Sequence, residues 1–149
     1  MQPLNFKKYS FRFKSNENKP LIFDPIRKKF MVLTPEEWVR QHVLKFLINE
    51  KEYPISHINV EKQLELNGTK KRYDIVVFNN DGSIHLIVEC KRPKVAITQT
   101  TFDQIARYNM ALNATYLMVT NGIHHYYCRI EKNKERYVFL EELPTYQNI

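Results

Sequence analysis

The stretch RYDIVVFNNDGSIHLIVECK, residues 72–91, decides the fold. Two apolar runs, Ile75–Phe78 and Leu86–Val88, flank Asn80-Asp81-Gly82-Ser83, and Asp-Gly between apolar runs is among the strongest short signals for a β-hairpin. With Asp81-Gly82 as a two-residue loop, Asn80 pairs with Ser83, and all facing couples have residue numbers that sum to 163. Asp74 then faces Glu89 on one side of the sheet, with Cβ atoms about 4.5–5.5 Å apart.

Two carboxylates about 5 Å apart, at an effective dielectric near 20, repel by about 3 kcal/mol. A shared proton, a nearby cation or a bound divalent metal relieves that repulsion. Lys91 lies two residues beyond Glu89 on the same face, about 6.7 Å along the strand, and its long stem lets the ammonium reach the pair. An all-oxygen pair suits Mg²⁺ or Mn²⁺. Beside a lysine, such an ion has what phosphodiester hydrolysis needs: polarisation of an oxygen, activation of a water and relief of developing charge. A cross-strand salt-bridge cluster at the end of the sheet would use the same residues without catalysis.

Working outward, TPEEWVRQHVLKFLINE carries the clearest helix start in the chain. Thr34 can cap, Pro35 suits the first helical position, and Glu37 completes a Thr-x-x-Glu capping box. Val39, Val43, Phe46 and Leu47 form an inward stripe, with Glu36 directed to the same side. HINVEKQLELN alternates as a strand and ends at the Asn67-Gly68 turn signal. A helix is expected over about 101–112, then strands in TYLMVTNG and HHYYCRI, and a last short strand or helix in RYVFLEEL. The element order predicts a mixed α/β domain with a central sheet.

The 149 residues fit one domain, with residues 1–20 as a basic arm and 21–149 as the core. Lys plus Arg total 23 against 16 for Asp plus Glu, a net charge of +7 that favours a polyanionic partner; the arm could track phosphates. Cys90 and Cys128 lack CxxC partners and read as buried filler in a reducing compartment. No GxxxxGK[ST] loop binds a nucleotide cofactor, and neither a signal peptide nor a membrane span is legible, so a cytoplasmic location is expected. His42, His57 and His85 have no partners at metal spacing, and His124 and His125 alternate across a strand. Trp38, Tyr126 and Tyr127 read as core or rim aromatics.

Asp74 on one strand and Glu89-Cys90-Lys91 on the next resemble the signature of the PD-(D/E)XK nuclease superfamily. Five blocks, FDPIRKKFMVLTPEEWVRQHVLKFL, KRYDIVVFN, LIVECKRP, TFDQIARYN and YLMVTNG, together resemble the nuclease-like N-terminal domain of type I restriction enzyme R subunits, from about Leu21 to Tyr127. The resemblance implies a restriction-endonuclease-like αβββαβ core, a central mixed sheet flanked by helices, and Mg²⁺-dependent (or Mn²⁺-dependent) cleavage of DNA. It gives Asp74 and Glu89 as metal ligands with the Cys90 carbonyl, Lys91 as the catalytic lysine, and Glu36 as the helical acid that helps hold metal-bound water. Gln104 and Tyr108 match a Gln-x-x-x-Tyr pattern near the site or the DNA, with Arg40 and Arg92 also on the DNA path. With no motor domain in the chain, a homodimer or a recruiting protein partner is expected to direct it. A catalytically silent DNA-binding or assembly module on the same fold is the alternative.

Overall fold

The computed structural model describes residues 1–146. Helix α1, Pro35–Lys45, starts where its cap predicts: Thr34 Oγ1 accepts a hydrogen bond from the Glu37 N–H at 3.0 Å, and a π-helical turn, Phe46–Glu50, extends it. Strands β4 (Ile58–Leu66), β5 (Thr69–Phe78) and β6 (Ile84–Cys90) follow, then α2 (Gln99–Ala111), β7 (Tyr116–Thr120), β8 (His125–Glu131) and β9 (Arg136–Leu140). They form one six-stranded sheet in the order β4-β5-β6-β7-β8-β9. The β6–β7 pair is parallel, bridged by α2, and the other neighbours are antiparallel. This is the expected αβββαβ order, extended by β8 and β9.

The sheet divides two cores. Val39 and Val43 of α1, with Leu47 of the π-helical turn, pack on Ile75, Val77, Leu86 and Val88. On the opposite face Phe102 and Ala106 of α2 pack on Val76, Ile87, Leu117 and Val119. Burial on both sides is why the middle strands read as continuous apolar runs instead of alternating.

The β5–β6 register holds at 163, with Ile75 opposite Val88 and Val77 opposite Leu86, but the turn that sets it is not the expected one. Asn79 and Ser83 close the loop, Asn79 N–H donating to Ser83 O at 2.8 Å, and Phe78 pairs with Ile84. A bulge at His85 then adds the residue that restores the register. Asp81 favours the wider loop by accepting from both the N–H and the hydroxyl of Ser83.

The largest departure lies before α1. Strands β1 (Phe13–Asn16), β2 (Lys19–Asp24) and β3 (Lys29–Val32) make a separate three-stranded antiparallel sheet, so the expected boundary between arm and core falls inside β2. Asp24-Pro25 opens the turn of the β2–β3 hairpin, where two short apolar runs meet; β1 lies among lysines. Residues ahead of β1 are docked, not trailing. Asn5 N–H donates to Gly122 O at 2.8 Å, the Trp38 indole N–H to Gln2 O at 2.7 Å, and Leu4 and Phe6 join the α1-side core. No helix among the described residues is long and apolar enough to cross a membrane.

Gly122 is the tightest point of that docking. Its φ is +88°, and a Cβ there would lie 2.9 Å from Leu4 Cδ2 and 3.0 Å from Val39 Cγ2. Gly122→Ala should therefore cost about 1–3 kcal/mol in urea unfolding. Unchanged stability would show that the N-terminal segment does not press on this glycine.

Candidate active site

The sheet forks at Asp74. β5 stays paired with β4 down to Thr69, whereas β6 continues against β7, with Glu89 opposite Val119 and Cys90 opposite Thr120. In the opening, the Asp74 side chain replaces a main-chain acceptor: its Oδ2 takes the Cys90 N–H at 2.7 Å. Two main-chain irregularities coincide here. Glu61, across from Asp74 on β4, has a positive φ of 55°, and Tyr73 packs on the α2 side while Ile75 packs on the α1 side, so strict alternation fails between them.

That kink corrects the expectation that Asp74 and Glu89 share one face. Asp74 Oδ1 is drawn to α1, accepting from Arg40 Nη2 at 2.8 Å. Glu89, between Val88 and Cys90 of the α1-side core, projects towards the α2 side and meets Lys71 Nζ at 3.3 Å. The two carboxylates still sense each other. Burial is the main cause that raises the Glu89 pKa; Lys71 opposes it, the charge of Asp74 adds to it, and Lys91 lowers it.

Glu36 and Glu37 have separate jobs. Glu37 is buried and is held by both Arg27 and Arg40, by Nη2 of Arg27 at 2.9 Å and Nη1 of Arg40 at 2.7 Å, and by Gln41 Nε2 at 3.0 Å. Its carboxylate is thus taken inward, and the reciprocal half of the capping box gives way. Glu36 is exposed and turns to the fork. Its pKa is raised first by partial desolvation and then by Asp74, while Arg40 and Lys91 pull it down. Lys91 thus stands within electrostatic reach of both Glu36 and Glu89, and its own N–H pairs with Thr120 O at 2.8 Å.

Arg40, expected along the DNA, is instead 6% exposed at the centre of the acids. Besides Asp74 and Glu37, its Nη2 donates to Glu61 Oε1 at 2.7 Å and to Glu36 Oε1 at 3.3 Å. Burial alone would lower its pKa; the hydrogen bond to Asp74 and the charge of Glu37 override that and hold it above the ordinary arginine value. Arg92 is exposed next to Lys91.

Lys71, Glu61 and Tyr73 are members of the cluster that the sequence did not reveal. Lys71 Nζ lies 4.9 Å from the centre of the Tyr73 ring and 4.7 Å from that of Tyr108, a cation–π seat beside Glu89. Tyr108 is therefore part of the site's wall, and Gln104, one turn earlier on α2, is exposed. The only early sign of Lys71 was its place on the strand of Asp74, three residues upstream. The histidines stay apart: His42 Nδ1 meets Trp38 O, His57 Nδ1 meets the Tyr146 hydroxyl, and His125 lies between Thr120 and Asn5.

Asp74, Glu89 and Glu36 offer oxygen alone, the donor type of magnesium and manganese. The Cys90 thiol is buried and pushed well above its ordinary pKa by that burial and by Asp74, so the residue's carbonyl is what a hard ion could use. Among the described residues no three His, Cys, Asp or Glu side chains converge into a ready-made cage. The donor set fits an ion that keeps most of its waters and takes one or two carboxylates, the habit of magnesium.

The family model of the type I restriction enzyme R protein N terminus matches residues 35–144, from the first residue of α1 to just past β9. The chain belongs to that family. The match contains Glu36, Asp74, Glu89, Lys91, Gln104 and Tyr108 and leaves β1–β3 outside it. A search of curated proteins gave no match. Membership in the R protein N-terminus family places the chain in restriction-related DNA function.

Breaking a buried ion cluster by removing its cation leaves uncompensated charge, at a cost of about 3–5 kcal/mol. Arg40→Met should destabilise by that order in urea at neutral pH. The deficit should shrink towards about pH 5, where the orphaned carboxylates take up protons. A deficit independent of pH would mean that Arg40 acts by packing alone.

Proposed function

We propose that this R protein N-terminus family member is a Mg²⁺-dependent or Mn²⁺-dependent deoxyribonuclease of the PD-(D/E)XK kind. The observation that carries the reading is the fork itself: Asp74 in the opening between β5 and β6, the Glu89-x-Lys91 pair on the adjoining strand, and Glu36 directed at them from α1. Asp74 and Glu89 would hold the ion, with the Cys90 carbonyl as a further ligand. When bound, the ion supplies Lewis-acid polarisation of a phosphodiester oxygen and an acidified water.

The chain's own groups do the rest. Lys91 brings a positive charge between Glu36 and Glu89, where it can orient the nucleophile and offset charge that develops on phosphate oxygens. Glu36, with its pKa raised by burial and by Asp74, is suited to orient a water and accept its proton at the carboxylate. Tyr108 and Gln104 extend the site along α2 towards DNA.

One observation favours a second reading, a silent DNA-binding module: Arg40 and Lys71 already neutralise Asp74 and Glu89 without an ion. Supercoiled plasmid incubated with Mg²⁺ or Mn²⁺ separates the two. Nicking should occur and should fall by at least about a hundredfold in Asp74→Ala and Lys91→Ala. DNA binding by the unmutated chain with no nicking would establish the silent module.

The raised acids give the metal dependence a sign. A carboxyl with a folded pKa above its unfolded value stabilises the fold when protonated, and that contribution is lost as pH rises through the folded pKa. Glu36 and Glu89 both shift this way. An ion that replaces those protons should therefore raise Tm more at neutral pH than at about pH 5, as read by thermal melts with and without Mn²⁺. Equal increments at both values would place the ion away from these acids.

A further inference from the structure

Nearly all the net positive charge of the chain lies ahead of α1. Residues 1–34 hold eight of the Lys and Arg against Glu17 and Asp24, while residues 35–149 hold fifteen against fourteen acids; the first segment therefore carries six of the seven net charges. That segment is the part outside the family match. One of its two acids is already spent: Asp24 is fully buried and accepts from Arg27 Nε at 2.8 Å and Gln41 Nε2 at 2.9 Å.

The register of the small sheet sorts the remaining cations. Phe13, Ile22 and Met31 face one another across the strands, and Ile22 and Asp24 are buried on that side. The opposite face carries Arg12, Lys14 and Lys19 with Phe23 and Phe30. The two rings meet edge to face at 5.3 Å; the Arg12 guanidinium lies 4.5 Å from the Phe23 centre, and Lys14 Nζ lies 4.6 Å from the Phe30 centre. All three cations are exposed, and none makes an ion pair among the described residues.

Cations seated on rings keep their N–H donors free while the rings fix their direction. Arg12 and Lys14 stand two strand positions apart, about 6.8 Å, on one face, so the two charges can meet phosphates of one DNA strand together. The buried face of the same sheet is tied to the fork. Arg27 bonds Asp24 and Glu37, Glu37 bonds Arg40, and Arg40 bonds Asp74, an unbroken chain of ion pairs from the sheet to the site.

We infer that the outer face of the β1–β3 sheet is a DNA-backbone docking surface that grips phosphates without reading sequence. The inference rests on DNA as the partner in the proposed function, but not on cleavage. An acidic polypeptide is the competing occupant. The concentration of net charge and the fixed direction of the ring-seated cations favour DNA.

The test is fluorescence anisotropy of the full chain with a short labelled duplex in EDTA, where cleavage is off, across a NaCl series. Binding by the unmutated chain should weaken with salt. The triple variant Arg12→Gln, Lys14→Gln, Lys19→Gln should bind about tenfold or more weakly at low salt, and its log–log salt slope should flatten by about 0.9 for each phosphate it no longer neutralises. Lys14→Gln with Lys19→Gln, which leaves the Arg12 stack intact, should show a smaller loss in the same direction, and Lys14→Arg should retain binding. Affinity and slope unchanged in both multiple variants, with their thermal melts intact, would overturn the inference. So would displacement of the duplex by polyglutamate at equal charge. Plasmid nicking is scored separately, so an inactive protein that binds through this face would sink the nuclease reading and leave this one standing.

Discussion

A single guanidinium, that of Arg40, spans the gap between α1 and the kink of β5, and the shape of the acidic cluster follows from where its donors point. Its fork reaches Glu37 with one terminal nitrogen and Asp74, Glu61 and Glu36 with the other. A lysine could not do this, because an ammonium is a point donor and the task is planar. With Oδ1 of Asp74 fixed by Arg40, Oδ2 is left for the Cys90 N–H, and the strand ladder cannot continue past Ile75 and Val88. The opening of the sheet and the placement of the acid are one event.

The same logic runs back through the molecule. Asp24, Arg27, Glu37 and Arg40 alternate in sign, each buried acid meeting at least two donors, so that charges under the N-terminal sheet are satisfied in series with those at the fork. Buried networks of paired charges are rigid, and the loss of one member leaves its partners uncompensated. The docked segment around Asn5 and the turn at Gly122 press on α1 at Trp38 and Val39, between Glu37 and Arg40 in sequence. The helix that presents Glu36 is therefore held from both sides.

Much of this was legible in the sequence because it was written in local chemistry. Thr34, Pro35 and the Glu37 N–H announced α1; the Asp81-Gly82 signal and the arithmetic of the hairpin brought Asp74 to the level of Glu89. The register was right although its loop was wrong, since the bulge at His85 compensates for the wider turn. What stayed illegible depended on long-range partners. The turn of Glu37 away from the capping box is decided by Arg27 and Arg40, the kink at Glu61 by the demands of Arg40, and the seat of Lys71 by Tyr108 on the helix that follows the next strand. β1 escaped notice because its alternation is carried by Phe13 and Ser15 amid lysines, and pairing with β2 supplies what its own composition does not.

By formal charge the acids of the cluster outnumber its cations by two without any ion, yet the acids nearest the opening are already paired. Glu36, Glu37, Glu61, Asp74 and Glu89 face Arg40, Lys71 and Lys91, with Arg27 shared with Asp24. To reach Asp74 or Glu89 an ion would have to displace the cation already paired there, and the two candidates differ in cost. Arg40 is buried, with both terminal nitrogens bonded to acids, so its removal strands several charges at once. Lys71, with a side chain 39% exposed, has one carboxylate partner and two aromatic faces, and water can replace most of what it leaves. The cheaper path for an ion is therefore through Glu89, with Asp74 held still by Arg40 and Lys71 released towards solvent, where the phosphates of a bound polyanion would be.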